Sequence, residues 1–100
     1  LERVRKAAGA LHAVGVRKGD RVALVMPNCP QHIVAFYATA LLGAVAVEHN
    51  PLAPEDELQH EFARHGAKTV VAWENSIPKL GFLGRDTTVF GVNLAEGPGF

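Results

Sequence analysis

The feature that most constrains the fold is a set of short apolar runs that alternate with segments of helical periodicity. The first run, residues 21–26, is Arg-Val-Ala-Leu-Val-Met and has no polar alternation. A strand of this kind is covered on both faces, which is typical of the interior of a parallel sheet. Four runs are predicted as strands, at residues 21–26, 44–48, 67–73 and 87–92. The sequence therefore predicts an α/β fold of βαβ units around a mostly parallel sheet with right-handed crossovers.

Helical segments precede the first strand and follow every strand except the last. The leading helix is predicted at 3–14, because Val4, Ala7 and Leu11 recur at the spacing of one helical face. Gly15 is a suitable end for it, since glycine tolerates the left-handed conformation. The remaining helices are predicted at 31–42, at 54–65 and, interrupted by Pro78, within 74–83. Residues 95–100 are predicted to be loop or disordered.

The second helix lacks the polar stripe that a surface helix needs. From Ile33 to Val47 the strongly polar groups are Thr39 and the hydroxyl of Tyr37. A domain of about 100 residues has little interior in which to bury such a helix. We therefore expect the helix to be buried on nearly all sides, within a larger protein or in an interface between copies. The chain also starts inside a predicted helix without an initiator Met, which favours a segment of a longer polypeptide.

Composition excludes several classes of protein. The chain is 48% hydrophobic and 20% charged, which is unlike a disordered tail. Ten Lys and Arg residues balance ten Asp and Glu residues, and this zero net charge argues against nucleic acid as a partner. The single cysteine, Cys29, cannot form an internal disulfide and favours a reducing, cytoplasmic setting. No signal peptide is recognised, and no apolar run has the length of about 20 residues that a transmembrane helix requires.

Motifs that bind phosphate or metal are not found in the sequence. There is no Gly-rich run ending in Gly-Lys-Ser/Thr and no Gly-x-Gly-x-x-Gly motif. His60 and His65 are five residues apart, so on a helix their imidazoles diverge by about 140° and do not form a metal pair. A contact between Glu61 and His65 on a solvated helix face is expected instead. We assign no residue as catalytic, cofactor-binding or metal-ligating.

Several single side chains are candidates for a site. Cys29 lies at a predicted helix N-terminus, which lowers a thiol pKa, but no base or second thiol accompanies it, so a buried or capping role is favoured. His49 follows the carboxyl end of a strand, where α/β sheets bind ligands, and is therefore a candidate site residue. No basic groove accompanies the aromatic residues, which argues against stacking platforms. We expect His32 to lie at the edge between a loop and a helix and His12 to be exposed to solvent. Trp73 and Tyr37 are expected to pack against other side chains.

An ordered set of motifs carries a family resemblance. The set lies at residues 7–11, 16–28, 33–38, 41–47, 50–52, 57–58 and 66–68. It includes Val-Arg-Lys-Gly-Asp-Arg-Val-Ala-Leu-Val-Met-Pro-Asn and, further on, Leu-Leu-Gly-Ala-Val-Ala-Val before Asn50-Pro51-Leu52. In this order the motifs resemble the N-terminal region of the adenylate-forming acyl-CoA synthetases of the AMP-binding superfamily, most of all the bacterial long-chain fatty-acid–CoA ligases. The resemblance is good over residues 1–75 and loose over 76–100.

The resemblance implies that residues 1–100 are one α/β segment of the large N-terminal domain of an ATP-dependent ligase. Such an enzyme activates a fatty or related carboxylic acid as an acyl-adenylate and passes it to coenzyme A, using Mg²⁺. The family's phosphate loop with its Lys, its ribose-binding Asp and the catalytic Lys of its C-terminal domain all lie further along such chains. The segment alone is therefore expected to be inactive, with no ATP, Mg²⁺ or coenzyme A bound.

The partners implied are the acid substrate and the remainder of the same polypeptide, in a cytoplasmic enzyme that is at most peripheral to a membrane. Formation of a homodimer is a further alternative. The alternative function is an independent α/β binding or assembly module that dimerises through the helix between Ile33 and Leu42. Reading the coding sequence beyond Phe100 would separate the two, because the ligase requires a downstream Ser/Thr/Gly-rich loop with Lys.

Two residues depart from the family pattern. Glu48 stands where the second core motif usually has proline, and Ala53 replaces the Ser or Thr common before Pro54. If Ala53 caps the third helix, this replacement weakens the cap by about 1 kcal/mol. Serine at position 53 is then expected to raise thermal stability.

Overall fold

The apolar runs form strands and the periodic segments form helices in the order that the sequence predicts. The structure, a computed structural model, describes residues 1–96. Element ends differ from the prediction by one or two residues, which is the usual uncertainty of helix and strand boundaries. The elements are α1 (Glu2–Ala13), β1 (Arg21–Val25), α2 (Pro30–Leu41), β2 (Val45–His49), α3 (Glu55–His65), β3 (Thr69–Trp73) and β4 (Thr88–Val92), with 3-10 segments at Glu74–Leu80 and Leu94–Glu96. Residues 97–100 of the predicted tail lie outside the described residues.

The four strands form one sheet in the order β2-β1-β3-β4, and every neighbouring pair is parallel. The chain passes from β1 to β2 through α2 and then crosses back over β1 to β3 through α3. The two crossovers run in opposite directions and use opposite faces of the sheet, so they have the same hand. The predicted parallel α/β architecture is confirmed.

The core consists of two apolar layers, one on each face of the sheet. Val22 and Leu24 of β1 pack in the layer formed with α1 and α2, while Ala23 and Val25 pack in the layer formed with α3. All four side chains are at most 1% exposed. The absence of polar alternation in β1 thus has a direct physical cause, because both faces of this strand are covered by helices.

Helix α2 is covered on one side and exposed on the other. Ala35 and Ala38 are fully buried against α1 and the sheet. On the opposite side, Ile33, Tyr37 and Leu41 are 56%, 57% and 59% exposed. The chain by itself covers only one side of this helix, so its burial on nearly all sides, within a larger protein or in an interface between copies, stays a prediction. We call the exposed apolar side, formed by Ile33, Phe36, Tyr37 and Leu41, the outer face of α2.

The start of α2 agrees with the prediction that Cys29 lies at a helix N-terminus, whereas the start of α3 differs from the prediction. Pro30 occupies the first position of α2, and Cys29 is the N-cap, without a side-chain hydrogen bond. In α3 the N-cap is Pro54, so Ala53 precedes the cap. Ala53 is 3% exposed and packs in the core. The interpretation of Ala53 as a weak cap is wrong, and serine there would bury a hydroxyl rather than cap the helix.

The turn after α2 provides a test of this fold. Gly43 has a φ of +74°, and a Cβ there would lie 3.1 Å from Cγ of Lys18. Its carbonyl also accepts a hydrogen bond from the Gly19 N–H at 2.9 Å, which positions the start of β1. Since an L-residue is strained in this conformation, Gly43→Ala is expected to lower the free energy of unfolding by about 1–2 kcal/mol in urea denaturation.

Gly9 is the matched control, because it lies within α1 and a Cβ there meets no atom within 4 Å. Gly9→Ala is expected to raise the free energy of unfolding by about 0.5–1 kcal/mol. Equal effects of the two substitutions would contradict the turn geometry assigned to Gly43.

Candidate functional site

The strand order defines where a parallel sheet of this type binds ligands. The crevice lies at the carboxyl ends of the two adjacent strands whose connections diverge. In the order β2-β1-β3-β4 these strands are β1 and β3. Met26 follows β1, and Trp73 ends β3. His49 ends β2, one strand further out, so it does not lie at this crevice.

His49 is instead the centre of a hydrogen-bonded cluster with two residues of α3. Its Nδ1 lies 2.6 Å from Oε1 of Glu61, and its Nε2 lies 2.8 Å from Nε2 of His65. The His49 side chain is 2% exposed and that of Glu61 is 38% exposed. The backbone N–H of Ala67 donates to Nδ1 of His65 at 3.0 Å. These three side chains, which we call the His49 cluster, join edge strand β2 to the end of α3.

The donors and acceptors of the His49 cluster fix one arrangement of protons. The Ala67 N–H can only donate, so Nδ1 of His65 is an acceptor and its proton lies on Nε2. Nε2 of His65 then donates to Nε2 of His49, and Nδ1 of His49 donates to the Glu61 carboxylate. Both imidazoles are neutral in this arrangement and all four ring nitrogens have a partner.

Aromatic packing and nearby charge favour the neutral form of His65. The ring of Phe62 stacks on His49 with centroids 4.8 Å apart and contacts His65 at 4.7 Å. Burial, His49 and the Arg21 guanidinium lower the pKa of His65 below its ordinary value of 6.5, and Glu61 opposes them. Arg21 also donates to the carbonyl oxygen of His65 at 2.9 Å.

The His49 cluster borders an open groove of about 440 Å³ between β2 and α3. Its charged lining residues are Arg21, Glu48, Glu61 and Arg64. The two carboxylates and the two guanidinium groups balance in charge, so the groove offers no net charge that selects an ionic ligand. The groove has no serine, threonine or cysteine among its lining residues. The chemistry of this arrangement is therefore that of a structural contact between two elements.

The prediction of a contact between Glu61 and His65 is wrong, because the Glu61 carboxylate accepts a hydrogen bond from His49 across the groove. His60 is exposed, whereas His65 is partly buried in the cluster. The sequence could not reveal the cluster, because His49 and His65 are 16 positions apart and meet only when α3 packs on β2. The one signal in the sequence was the location of His49 at a strand end.

The departure at Glu48 has a structural explanation. Glu48 lies on the opposite face of β2 from His49, and its Oε1 is 2.5 Å from Nε2 of His32 in α2. The side chain of His32 is 14% exposed and that of Glu48 is 51% exposed. This pair ties α2 to β2, so the position at which the resembled motif usually has proline contributes a hydrogen bond between two elements here.

The other candidates have structural positions. Cys29 is half-buried beside the core at the N-cap of α2 and makes no side-chain hydrogen bond to the helix, so its capping or buried role stays a prediction. His12 is exposed as expected, and Trp73 is half-buried. Tyr37 is 57% exposed and contacts the edge of Phe36, so the packing role predicted for it is wrong within this chain.

Among residues 1–96, no group of three or more His, Cys, Asp or Glu side chains is arranged to hold a metal ion. The helices of the described part of the chain include none long and apolar enough to cross a membrane.

The loop after β2 is fixed by hydrogen bonds from side chains of the 3-10 segment Glu74–Leu80. Nζ of Lys79 donates to the carbonyl oxygens of Pro51 and Ala53 at 2.9 and 2.7 Å. The hydroxyl of Ser76, which is fully buried, also donates to the Pro51 carbonyl at 2.9 Å. These contacts fix the loop that leads from His49 to the start of α3.

Comparison with known proteins identifies what the chain is similar to. A family model for the AMP-binding enzyme matches residues 1–94. The chain is 40% identical over 76 residues to 4-coumarate–CoA ligase 2 of Oryza sativa subsp. japonica, covering 76% of this chain and 13% of that protein. It is 35% identical over 74 residues to the long-chain-fatty-acid–CoA ligase of Bacillus subtilis (strain 168), covering 74% of this chain and 13% of that protein. The chain thus spans 13% of the length of these relatives.

A solved structure supports the same relationship. The chain aligns with the inhibitor-bound N-terminal domain of FACL13 from Mycobacterium tuberculosis with a TM-score of 0.80 and 35% identity. The alignment covers 93% of this chain and 25% of that one. The likeness therefore extends through nearly all of the described sheet and helices.

The loop after β2 gives a testable consequence. Lys79→Met keeps a long side chain but removes the donor to the buried carbonyl of Ala53, so the free energy of unfolding is expected to fall by about 1–3 kcal/mol. Lys68→Met is the matched control, because Lys68 pairs with Asp86 on the surface with both side chains about two-thirds exposed. Such pairs contribute little, and this variant is expected to unfold as the wild type does. A Lys79 variant as stable as the Lys68 variant would refute the role given to Lys79.

Proposed function

Because the chain belongs to the AMP-binding enzyme family, we propose that it is a scaffold segment of the large N-terminal domain of an ATP-dependent acid–CoA ligase. The whole ligase would activate a carboxylate as an acyl-adenylate with ATP and Mg²⁺ and pass the acyl group to coenzyme A. The observation that carries the proposal is the family match over residues 1–94. The structure supports it through an unbroken βαβ framework over the same residues.

The N-termini of α2 and α3 do not suit the phosphate groups of ATP. A phosphate site at a helix N-terminus uses free backbone N–H groups and a glycine-rich approach. The N-terminus of α2 has Pro30 at its first position and Cys29 as its cap, and α3 has three acidic residues in its first turn. Both ends are therefore poor sites for a polyphosphate. This supports a scaffold role in which the nucleotide binds to other parts of the polypeptide.

The substrate is proposed to be a long-chain fatty acid or a related carboxylic acid. One relative is named for long-chain fatty acids and another for 4-coumarate, with 35% and 40% identity. The two names share the chemistry of forming a thioester between a carboxylic acid and coenzyme A. We propose a cytoplasmic location, because the single cysteine of this chain favours a reducing compartment.

The proposal is tested by comparing the chain of 100 residues with the longer polypeptide that contains it. The longer polypeptide is expected to release pyrophosphate from ATP and form acyl-CoA when given one acid of a panel that includes palmitate and 4-coumarate. The chain alone is expected to do neither and to show no heat of ATP binding at micromolar concentration. Micromolar ATP binding by the chain alone would overturn the scaffold role, and the absence of acyl-CoA formation with every acid would overturn the ligase.

A second candidate function rests on the outer face of α2. Its side chains Ile33, Tyr37 and Leu41 are each more than half exposed, and together with Val4 they line an apolar groove of about 620 Å³ between α1 and α2. Isolated exposed apolar residues are ordinary, but a continuous patch of this kind marks an interface. In the ligase the patch would be covered by the remainder of the polypeptide. In the alternative it would be the dimer interface of an independent assembly module.

Substitutions at Leu41 distinguish an outer face that is covered by the rest of the polypeptide from one that is covered by a second copy of the chain. Lysine and methionine have similar helix propensities, and lysine suits the last turn of α2, so a loss caused by Leu41→Lys reports burial of a charge. If the rest of the polypeptide covers the face, Leu41→Lys is expected to lower the melting temperature of a monomeric protein by several degrees, while Leu41→Met changes it little. A dimer in sedimentation that Leu41→Lys dissociates would favour the assembly module. Equal melting temperatures and an unchanged monomer would contradict burial of this face by either partner.

A further inference from the structure

The His49 cluster contains a contact that only one protonation state satisfies. His49 ends β2, and His65 is the last residue of α3, directly before the turn into β3. Their Nε2 atoms lie 2.8 Å apart, so one must donate and the other accept. The Ala67 N–H occupies Nδ1 of His65, and the Glu61 carboxylate accepts from Nδ1 of His49. The two neutral imidazoles therefore have no freedom to exchange donor and acceptor roles.

An additional proton creates a conflict wherever it binds. On Nδ1 of His65 it would face the Ala67 N–H, which is also a donor. On Nε2 of His49 it would face the proton that His65 already donates. Moving the His65 proton to Nδ1 relieves the second conflict and produces the first. One added proton thus removes one of the two hydrogen bonds of the His65 ring, either the one to His49 or the one to the Ala67 N–H.

We propose that the His65 ring, hydrogen-bonded to His49 on one side and to the Ala67 N–H on the other, is a pH-responsive latch that is closed while both imidazoles are neutral and loses one of these two bonds on the uptake of one proton. The latch holds the carboxyl-terminal end of α3 and the following turn against edge strand β2. His65 borders two open grooves, so water and protons reach it without prior unfolding of the chain. Loss of the first bond would detach His65 from β2 and loss of the second would loosen the turn into β3, while the hydrogen bond between His49 and Glu61 remains in both cases.

The charges around the latch come from every element that packs against it. Arg21 of β1 and Arg64 of α3 disfavour a second positive charge, whereas Glu61 of α3 and Glu48 of β2 favour one. The adjoining groove adds three exposed residues, namely Asp20, Lys68 and Asp86. Lys68 and Asp86 form an ion pair with each other and largely cancel at His65. Burial, His49 and Arg21 together lower the pKa of His65, in agreement with a latch that is closed when neutral.

The lowered pKa determines the direction of the pH effect. Between the folded pKa of His65 and its ordinary value of 6.5, the unfolded chain binds more protons than the folded chain. The stability contributed by the latch is therefore complete above about pH 7 and decreases as the pH falls through this window. For one histidine kept neutral in the folded state, the folding equilibrium constant falls by at most about tenfold between about pH 7.5 and 5.5.

The experiment compares two histidines of the same helix in the polypeptide that contains this chain. His65→Gln keeps a side-chain amide that reaches toward Nε2 of His49 but does not titrate. His60→Gln is the control, because His60 is exposed on α3. We expect unfolding measurements from pH 7.5 to 5.5 to give a smaller loss of folding equilibrium constant for His65→Gln, by up to about tenfold, and an unchanged loss for His60→Gln. The same pH dependence in the wild type and in both variants would overturn the latch.

A measurement on the wild type keeps the proposal testable if His65→Gln does not fold. Nitrogen-15 spectra of labelled histidine distinguish protonated from unprotonated ring nitrogens. At pH 7.5 we expect His65 to be protonated on Nε2 alone and His49 on Nδ1 alone. A second readout is hydrogen exchange. On acidification we expect the Ala67 amide to lose its protection before the Gly66 amide, which donates a hydrogen bond to the carbonyl of Phe62. A proton on Nδ1 of His65 at pH 7.5 would overturn the proposal. Neither readout depends on ligase activity, so this test is separate from that of the proposed function.

Discussion

The structure depends on one constraint, which is that β1 is apolar on both faces and must be covered twice. Val22 and Leu24 require one layer of helices and Ala23 and Val25 require another, so the chain has to cross the sheet on both sides. The parallel strands follow from this, because each crossover through a helix returns the chain in the same direction. The strand order with β1 and β3 at the centre places the two strands with the most complete burial where both layers overlap.

The outer strand β2 is less buried and is held by polar contacts instead. Glu48 reaches His32 of α2 on one face, while His49 reaches Glu61 and His65 of α3 on the other. These contacts occur at the strand whose outward edge has no partner among the described residues. An edge strand gains less from apolar burial, so hydrogen bonds and ion pairs carry a larger share of its attachment. Ionisable side chains therefore take part in the attachment of β2, whereas β1 is attached mainly by apolar burial.

The outer face of α2 gives the strongest structural reason to consider the chain in a larger setting. The helix is apolar on both sides, but the sheet and α1 use only one of them. The chain spans 13% of the length of its curated relatives and 25% of the solved N-terminal domain with which it aligns. Both facts are consistent with a scaffold element whose second apolar face is completed by other residues of the same polypeptide.

The sequence by itself determined the order of helices and strands, the parallel sheet and the family. These follow from local information, namely the unbroken apolar run of β1, the proline at the start of α2 and glycines after the helices, and from motifs that are contiguous in the chain. Only the tertiary structure decided that Ala53 is a core residue rather than a cap, because the position of the α3 start depends on how Lys79 and the core hold the preceding loop. It also decided the role of His49. Its partners Glu61 and His65 are brought to it by the packing of α3 over β2, and no pattern along the sequence encodes a contact between side chains on different elements.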